Sequence, residues 1–127
     1  MYKRQEINTA NAISHAACAV SRSQRIGVLA TMTHSGYTAR MAARYRPASK
    51  IIALTPFKKT CQKLAIVWGV SPALVKNYKS ADEIPEVANE ELQKLGLIKK
   101  GESFVVTGGV PVGISGTTNY LTVLTGT

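Results

Sequence analysis

Apolar and polar positions along the chain follow two alternating periods. Short apolar runs of five or six residues are separated by longer segments in which apolar residues recur every three or four positions. This alternation is typical of an α/β domain, whose crossover helices join the strands of a mostly parallel sheet, rather than of an all-α or all-β domain.

The apolar runs predict five strands, at residues 26–31, 51–55, 70–75, 103–107 and 120–124. About a dozen residues separate the last two runs, too few for a full crossover helix, so we expect these two strands to be antiparallel. The predicted architecture is a three-layer α/β fold: a five-stranded, mostly parallel sheet with helices on both faces and an antiparallel last strand.

Helical spacing predicts four helices, one before the first strand and three between strands. The predicted helices cover residues 9–22, 39–45, 57–68 and a stretch from the Ser80–Glu83 capping box toward Leu95. Pro47 ends the second helix, and Gly69 and Gly96 end the third and fourth. Thr55 is expected to cap the third helix, with a proline at its first position.

Charge is divided unevenly along the chain. Residues 1–79 carry 13 Lys and Arg against one acidic residue, and residues 80–127 carry 3 against 6. The first part should therefore attract anions. Nucleic acid is one candidate, but we do not expect it as the partner, because the sequence shows no base-stacking aromatics beside the charges, no zinc pattern and no arginine-rich tail. A phosphorylated small molecule or an acidic protein surface fits at least as well.

The polar turn at residues 31–38 is the first candidate for chemistry. It lies between a predicted strand and the start of a helix, where free backbone N–H groups and the helix dipole favour an anion. Gly36 allows close approach of the backbone, and the hydroxyls and His34 could bind a phosphate. The alternative is that Thr33 and Ser35 only cap the helix.

A glycine-rich loop at residues 108–119 is the second candidate. It follows the fourth strand, so it and the first turn should meet beyond the carboxyl ends of the strands, where open α/β sheets bind ligands. The alternative is a hairpin connection rich in turn-forming residues.

Other reactive residues show no catalytic pattern. The chain has no nucleophile elbow, no Walker-type phosphate loop and no carboxylate pair for Mg²⁺. Cys18 and Cys61 lack metal-ligand spacing and are expected to be reduced thiols, and no run approaches the roughly 20 apolar residues of a membrane span. Tyr45 and Trp68 are expected to be core or subunit-contact residues.

Seven sequence blocks, in family order, resemble the C-terminal domain of pyruvate kinases. The two most specific are Arg-Tyr-Arg-Pro at 44–47 and Ser-Gly-Thr-Thr-Asn at 115–119. The other blocks lie at residues 12–16, 33–40, 51–56, 64–69 and 96–101, with Val-Pro-Val-Gly at 110–113 directly before the last block.

The resemblance implies that this chain is a regulatory and oligomerisation domain. The parent would be a cytoplasmic homotetramer that transfers phosphate from phosphoenolpyruvate to ADP, giving pyruvate and ATP. Its (β/α)8 barrel, with the active site and the Mg²⁺ and K⁺ ligands, is missing here, so this fragment should be inactive and hold no cofactor. The alternative is a free-standing binding module for a sugar phosphate or nucleotide.

The resemblance also implies an effector pocket for a sugar phosphate or AMP. Its residues would be Thr33, His34, Ser35, Gly36 and Thr38, together with Gly113, Ser115, Gly116 and Thr117 of the glycine-rich loop. Family members that bind fructose 1,6-bisphosphate often have a basic residue where His34 stands and an arginine where this chain has Ile84 and Pro85. A monophosphate such as AMP or ribose 5-phosphate is therefore an alternative to a bisphosphate.

The first five residues look foreign to the domain. Residues 1–5, Met-Tyr-Lys-Arg-Gln, resemble a translated sequencing-adapter end, so we assign the domain to residues 6–127 and expect the natural protein to extend further at its N-terminus.

Overall fold

The computed structural model describes residues 9–109 and 118–127. Its helices are α1 (Thr9–Ser23), α2 (Tyr37–Arg44), α3 (Lys58–Leu64) and α4 (Ile84–Lys94), the last preceded by a 3₁₀ turn at Ala81–Glu83. Its strands are β1 (Val28–Met32), β2 (Lys50–Thr55), β3 (Val70–Leu74), β4 (Ser103–Gly108) and β5 (Tyr120–Thr125).

The five strands form one sheet in the order β3-β2-β1-β4-β5. The first three pairings are parallel, and β4 pairs with β5 antiparallel, so Gly108 lies opposite Tyr120. The mostly parallel sheet with an antiparallel last strand is confirmed. From β1, the strands β2 and β3 are added on one side of the sheet, whereas β4 and β5 are added on the other. The direction in which strands are added therefore reverses between β1 and β4.

Helices cover both faces of the sheet, as predicted. One face packs beneath α4, where Leu92 joins Phe104 and Ile52 in a single core. On the opposite face of the sheet, α1, α2 and α3 pack in a second core. It contains Ala17, Ala39 and Leu64 from the helices and Leu29 and Val105 from the strands. Every residue of the central strand β1 is buried, because both of its faces are covered.

The third helix differs most from its prediction. Thr55 is the last residue of β2, and its hydroxyl accepts a hydrogen bond from the Phe57 N–H at 3.2 Å, so Phe57 rather than Thr55 is the N-cap. The helix also ends at Leu64, four residues before the predicted end at Trp68. Ile66 and Trp68 extended the apolar pattern, but their side chains are 89% and 71% exposed, so no burial holds a further helical turn there.

The capping box at Ser80 is present. The Glu83 carboxylate accepts hydrogen bonds from the N–H groups of Lys79 at 2.9 Å and Ser80 at 3.2 Å. These bonds lower the pKa of Glu83, and the bond from Lys79 contributes most. They satisfy backbone donors where the chain enters α4, and Gly96 ends the helix with φ 75°.

Cys18 is buried, Cys61 is half-buried, and both are free thiols. Within the described ranges, no helix has the length and apolar character needed to cross a bilayer.

Candidate effector site

The turn between β1 and α2 is held by its own hydroxyls. The Thr33 N–H donates to the Leu54 carbonyl at 3.0 Å, and the Thr33 hydroxyl accepts from the Gly36 N–H at 2.8 Å. The Ser35 hydroxyl accepts from the Tyr37 N–H at 3.4 Å. Both hydroxyls therefore accept hydrogen bonds from backbone N–H groups at the start of α2. Each hydroxyl keeps its own proton, which it can donate to a ligand oxygen.

Gly36 is required by the conformation of this turn. Its φ is 95°, a value that side-chain-bearing residues seldom adopt, and it precedes the first residue of α2. A Cβ atom built on Gly36 would lie 3.1 Å from Cδ2 of Leu64 in α3. The glycine thus lets the turn pack directly against the neighbouring helix.

Thr38 joins this turn to the end of the glycine-rich loop. Its hydroxyl lies 3.0 Å from the Thr118 hydroxyl, and both residues are buried. Asn119, next in sequence, donates its N–H to the Gly108 carbonyl at 3.0 Å, which brings the chain back beside β4. The predicted site residues Gly113, Ser115, Gly116 and Thr117 lie outside the described residues.

His34 is fixed by contacts to three neighbours. Its carbonyl accepts a hydrogen bond from the Thr60 hydroxyl at 2.6 Å. Its ring centroid lies 5.2 Å from that of Phe57 and 5.3 Å from that of Tyr78. Burial lowers the pKa of the imidazole, so in the ligand-free protein the ring is protonated less readily than a solvent-exposed histidine.

Three residues of this site were missed by the sequence prediction: Phe57, Tyr78 and Thr118. Phe57 and Tyr78 follow the carboxyl ends of β2 and β3, and parallel strands place all such ends at one edge of the sheet. That rule could have pointed to both residues. Thr118 lies in the block predicted to contain the second loop, but only the β4–β5 register places it beside α2.

The two helices that begin at this edge of the sheet carry basic residues. The first turns of α2 and α3 contain no acidic residue, and α3 begins with the exposed pair Lys58 and Lys59. In the ranges 9–109 and 118–127 one ion pair forms, between Lys76 and Glu86 at 3.6 Å. Helix starts and unpaired lysines both favour an anion at this edge.

The comparison with known proteins identifies the family. Residues 11–124 match the family model described as "Pyruvate kinase, alpha/beta domain". The chain belongs to this family. The resemblance inferred from the sequence blocks is therefore confirmed.

Curated relatives agree with this assignment. The chain is 38% identical to pyruvate kinase of Clostridium acetobutylicum over 91% of its own length and 24% of the relative's. It is 39% identical to pyruvate kinase of Lactobacillus delbrueckii subsp. bulgaricus, over 90% of this chain and 19% of the relative. It is 36% identical to pyruvate kinase of Staphylococcus aureus, over 94% of this chain and 20% of the relative. The chain thus spans a quarter or less of each of these relatives.

Solved structures confirm the fold. A crystal structure of a pyruvate kinase from Cryptosporidium parvum matches with a TM-score of 0.82 and 22% identity, covering 96% of this chain and 23% of that one. The same organism's pyruvate kinase in complex with ADP matches with a TM-score of 0.81 and 21% identity, covering 97% of this chain and 25% of that one.

Proposed function

We propose that this chain is the regulatory domain of a pyruvate kinase and binds a phosphorylated effector at the turn between β1 and α2. The observation that carries the proposal is a hydroxyl-lined helix start at the point where the chain reverses direction across the sheet. The phosphate would lie against Thr33, Ser35 and the free N–H groups of the first turn of α2. The other predicted effector residues, Gly113, Ser115, Gly116 and Thr117, lie outside the described residues.

In this proposal the parent protein transfers phosphate from phosphoenolpyruvate to ADP and works as a cytoplasmic homotetramer. Effector binding shifts the tetramer between states of different substrate affinity. The Mg²⁺ and K⁺ of that reaction belong to the barrel, and the described residues of this chain contain no group of three or more His, Cys, Asp or Glu that could hold a metal ion. A free-standing module is not favoured, since each relative above is a pyruvate kinase several times longer.

The test is a thermal-shift titration of the 127-residue chain with fructose 1,6-bisphosphate, ribose 5-phosphate and AMP. A ligand at about one hundred times its dissociation constant adds about 2.7 kcal/mol to the free energy of unfolding, which raises the Tm of a domain of this size by about 10 °C. We expect such a rise with at least one of the three ligands.

Ser35→Asp is the informative variant. The new carboxylate would repel the phosphate, while its position at the start of α2 favours the helix, so the unliganded protein should fold as well as the wild type. Ser103→Asp, at the opposite edge of the sheet, is the matched control and should keep the ligand response. Equal shifts in wild type and Ser35→Asp, or no shift with any ligand, would contradict the proposal.

A further inference from the structure

Large apolar side chains are exposed along β3, the outermost strand on its side of the sheet. Ile66 and Trp68 lie in the segment between α3 and β3 and are mostly exposed, and Leu74, the last residue of β3, is 53% exposed. Exposed apolar side chains gathered on one side of a domain are typical of a surface that contacts another protein.

A groove of about 410 Å³ lies between β3 and α4 on the same side of the sheet. Its apolar lining is formed by Ile52, Ala73, Leu74, Leu95 and Leu97. The charged residues that line it are Lys50 and Glu91, and neither forms an ion pair within residues 9–109 and 118–127. A groove of this size has room for one large aromatic side chain, and its apolar lining favours such a group.

Trp68 has the chemistry that this groove requires. Its ring is 71% exposed, and the guanidinium carbon of Arg46 lies 4.9 Å from the ring centroid. Because this cation–π contact holds the guanidinium beside the indole, a groove that receives the ring must also offer the cation a carboxylate. Glu91 supplies that carboxylate. Tryptophan and arginine are also the residues that most often dominate protein–protein contacts.

Pro72 prevents the sheet from growing by another strand on this side. The Val75 N–H donates to the Thr55 carbonyl of β2 at 2.9 Å, so the backbone of Pro72, three residues earlier in the alternation, faces away from β2. Proline has no N–H to offer an incoming strand, which protects a sheet edge from pairing. A partner on this side is therefore held by side chains.

We infer that two copies of this chain associate through the β3 side of the sheet, with Trp68 of each copy in the groove of the other. The indole ring contacts the leucines of the groove, and Arg46 pairs with Glu91 of the second copy. Because Trp68 and the groove both adjoin β3, one two-fold axis satisfies both contacts and closes the assembly as a dimer. The inference does not depend on the proposed effector site.

Fluorescence and sedimentation of the 127-residue chain test the inference together. Trp68 is the single tryptophan, so its emission should move to shorter wavelength as protein concentration rises and the ring leaves water. Sedimentation should change from monomer to dimer over the same range, with a Kd on the order of 10 µM. Each copy carries a net charge of +9, so salt weakens the long-range repulsion, and the dimer should persist at about 0.5 M NaCl.

Four variants examine the two sides of the contact. Trp68→Ala and Leu95→Lys should each weaken dimerisation about tenfold or more. Both side chains are exposed in the monomer, and a lysine suits position 95 at the end of α4, so both variants should fold. Arg46→Glu and Glu91→Arg should each weaken dimerisation several-fold. A chain that carries both charge changes should dimerise within about twofold of the wild type.

Val123→Lys is the matched control. Val123 is an exposed apolar residue of β5, the outermost strand on the other side of the sheet, so this variant should dimerise as the wild type does. Loss of the dimer in Val123→Lys would place the contact on β5 and overturn the inference. A dimer unaffected by Trp68→Ala, or no recovery when both charges are exchanged, would also overturn it. A chain that stays monomeric would do the same and leave the groove to the rest of the parent protein.

Discussion

Gly36→Ala tests whether the turn between β1 and α2 requires a glycine, as its backbone conformation indicates. A side chain at φ 95° strains the backbone by about 1–2 kcal/mol. The new methyl group would also lie 3.1 Å from Cδ2 and 3.4 Å from Cγ of Leu64, and relieving such overpacking costs about 1 kcal/mol more. We therefore expect the free energy of unfolding to fall by about 2–3 kcal/mol, which lowers the Tm by about 7–11 °C.

A double-mutant cycle with Leu64→Ala separates the two contributions. Leu64 is fully buried, so Leu64→Ala alone should cost about 2–5 kcal/mol. In that background the steric conflict is gone, and the cost of Gly36→Ala should drop to the backbone strain of about 1–2 kcal/mol. Urea unfolding followed by circular dichroism measures all four proteins.

Gly27→Ala is the control for this cycle. Gly27 has ordinary φ, and a Cβ atom there would meet nothing within 4 Å, so alanine should be neutral or should stabilise by up to about 1 kcal/mol. If Gly36→Ala behaved in the same way, the reasoning about the left-handed turn and its contact with α3 would be wrong.

Three further predictions follow from buried side chains. Burial raises the pKa of Tyr78 from 10.0 to about 12 in the folded protein. The free energy of unfolding should therefore fall by about 3 kcal/mol as the pH rises from below 10 through 12, because the unfolded chain ionises first. Tyr78→Phe should abolish that loss in urea titrations at alkaline pH. Thr38→Val and Thr118→Val should show a coupling of about 0.5–1.5 kcal/mol in a double-mutant cycle, and additive effects would mean that their hydroxyls do not bond. Phe104→Ala should cost about 3–5 kcal/mol in the same assay, and a smaller loss would contradict its place at the centre of the α4 core.

The local pattern was sufficient for most elements of the fold. A strand that is buried on both faces is apolar along most of its length, so the run at 51–55 predicted β2 to within one residue. A capping box specifies the start of a helix by its own hydrogen bonds, as at Ser80. The α3 prediction failed because periodicity cannot distinguish an apolar side chain that packs from one that remains exposed, such as Ile66.

The sequence by itself determined the α/β class, the antiparallel last strand, the family and the turn at Thr33 to Thr38, because each can be recognised from short segments and their order along the chain. Only the tertiary structure decided that Thr38 meets Thr118 and that His34 lies between Phe57 and Tyr78. Those contacts join separate loops, and it is the order and register of the parallel strands that brings the loops to one edge of the sheet.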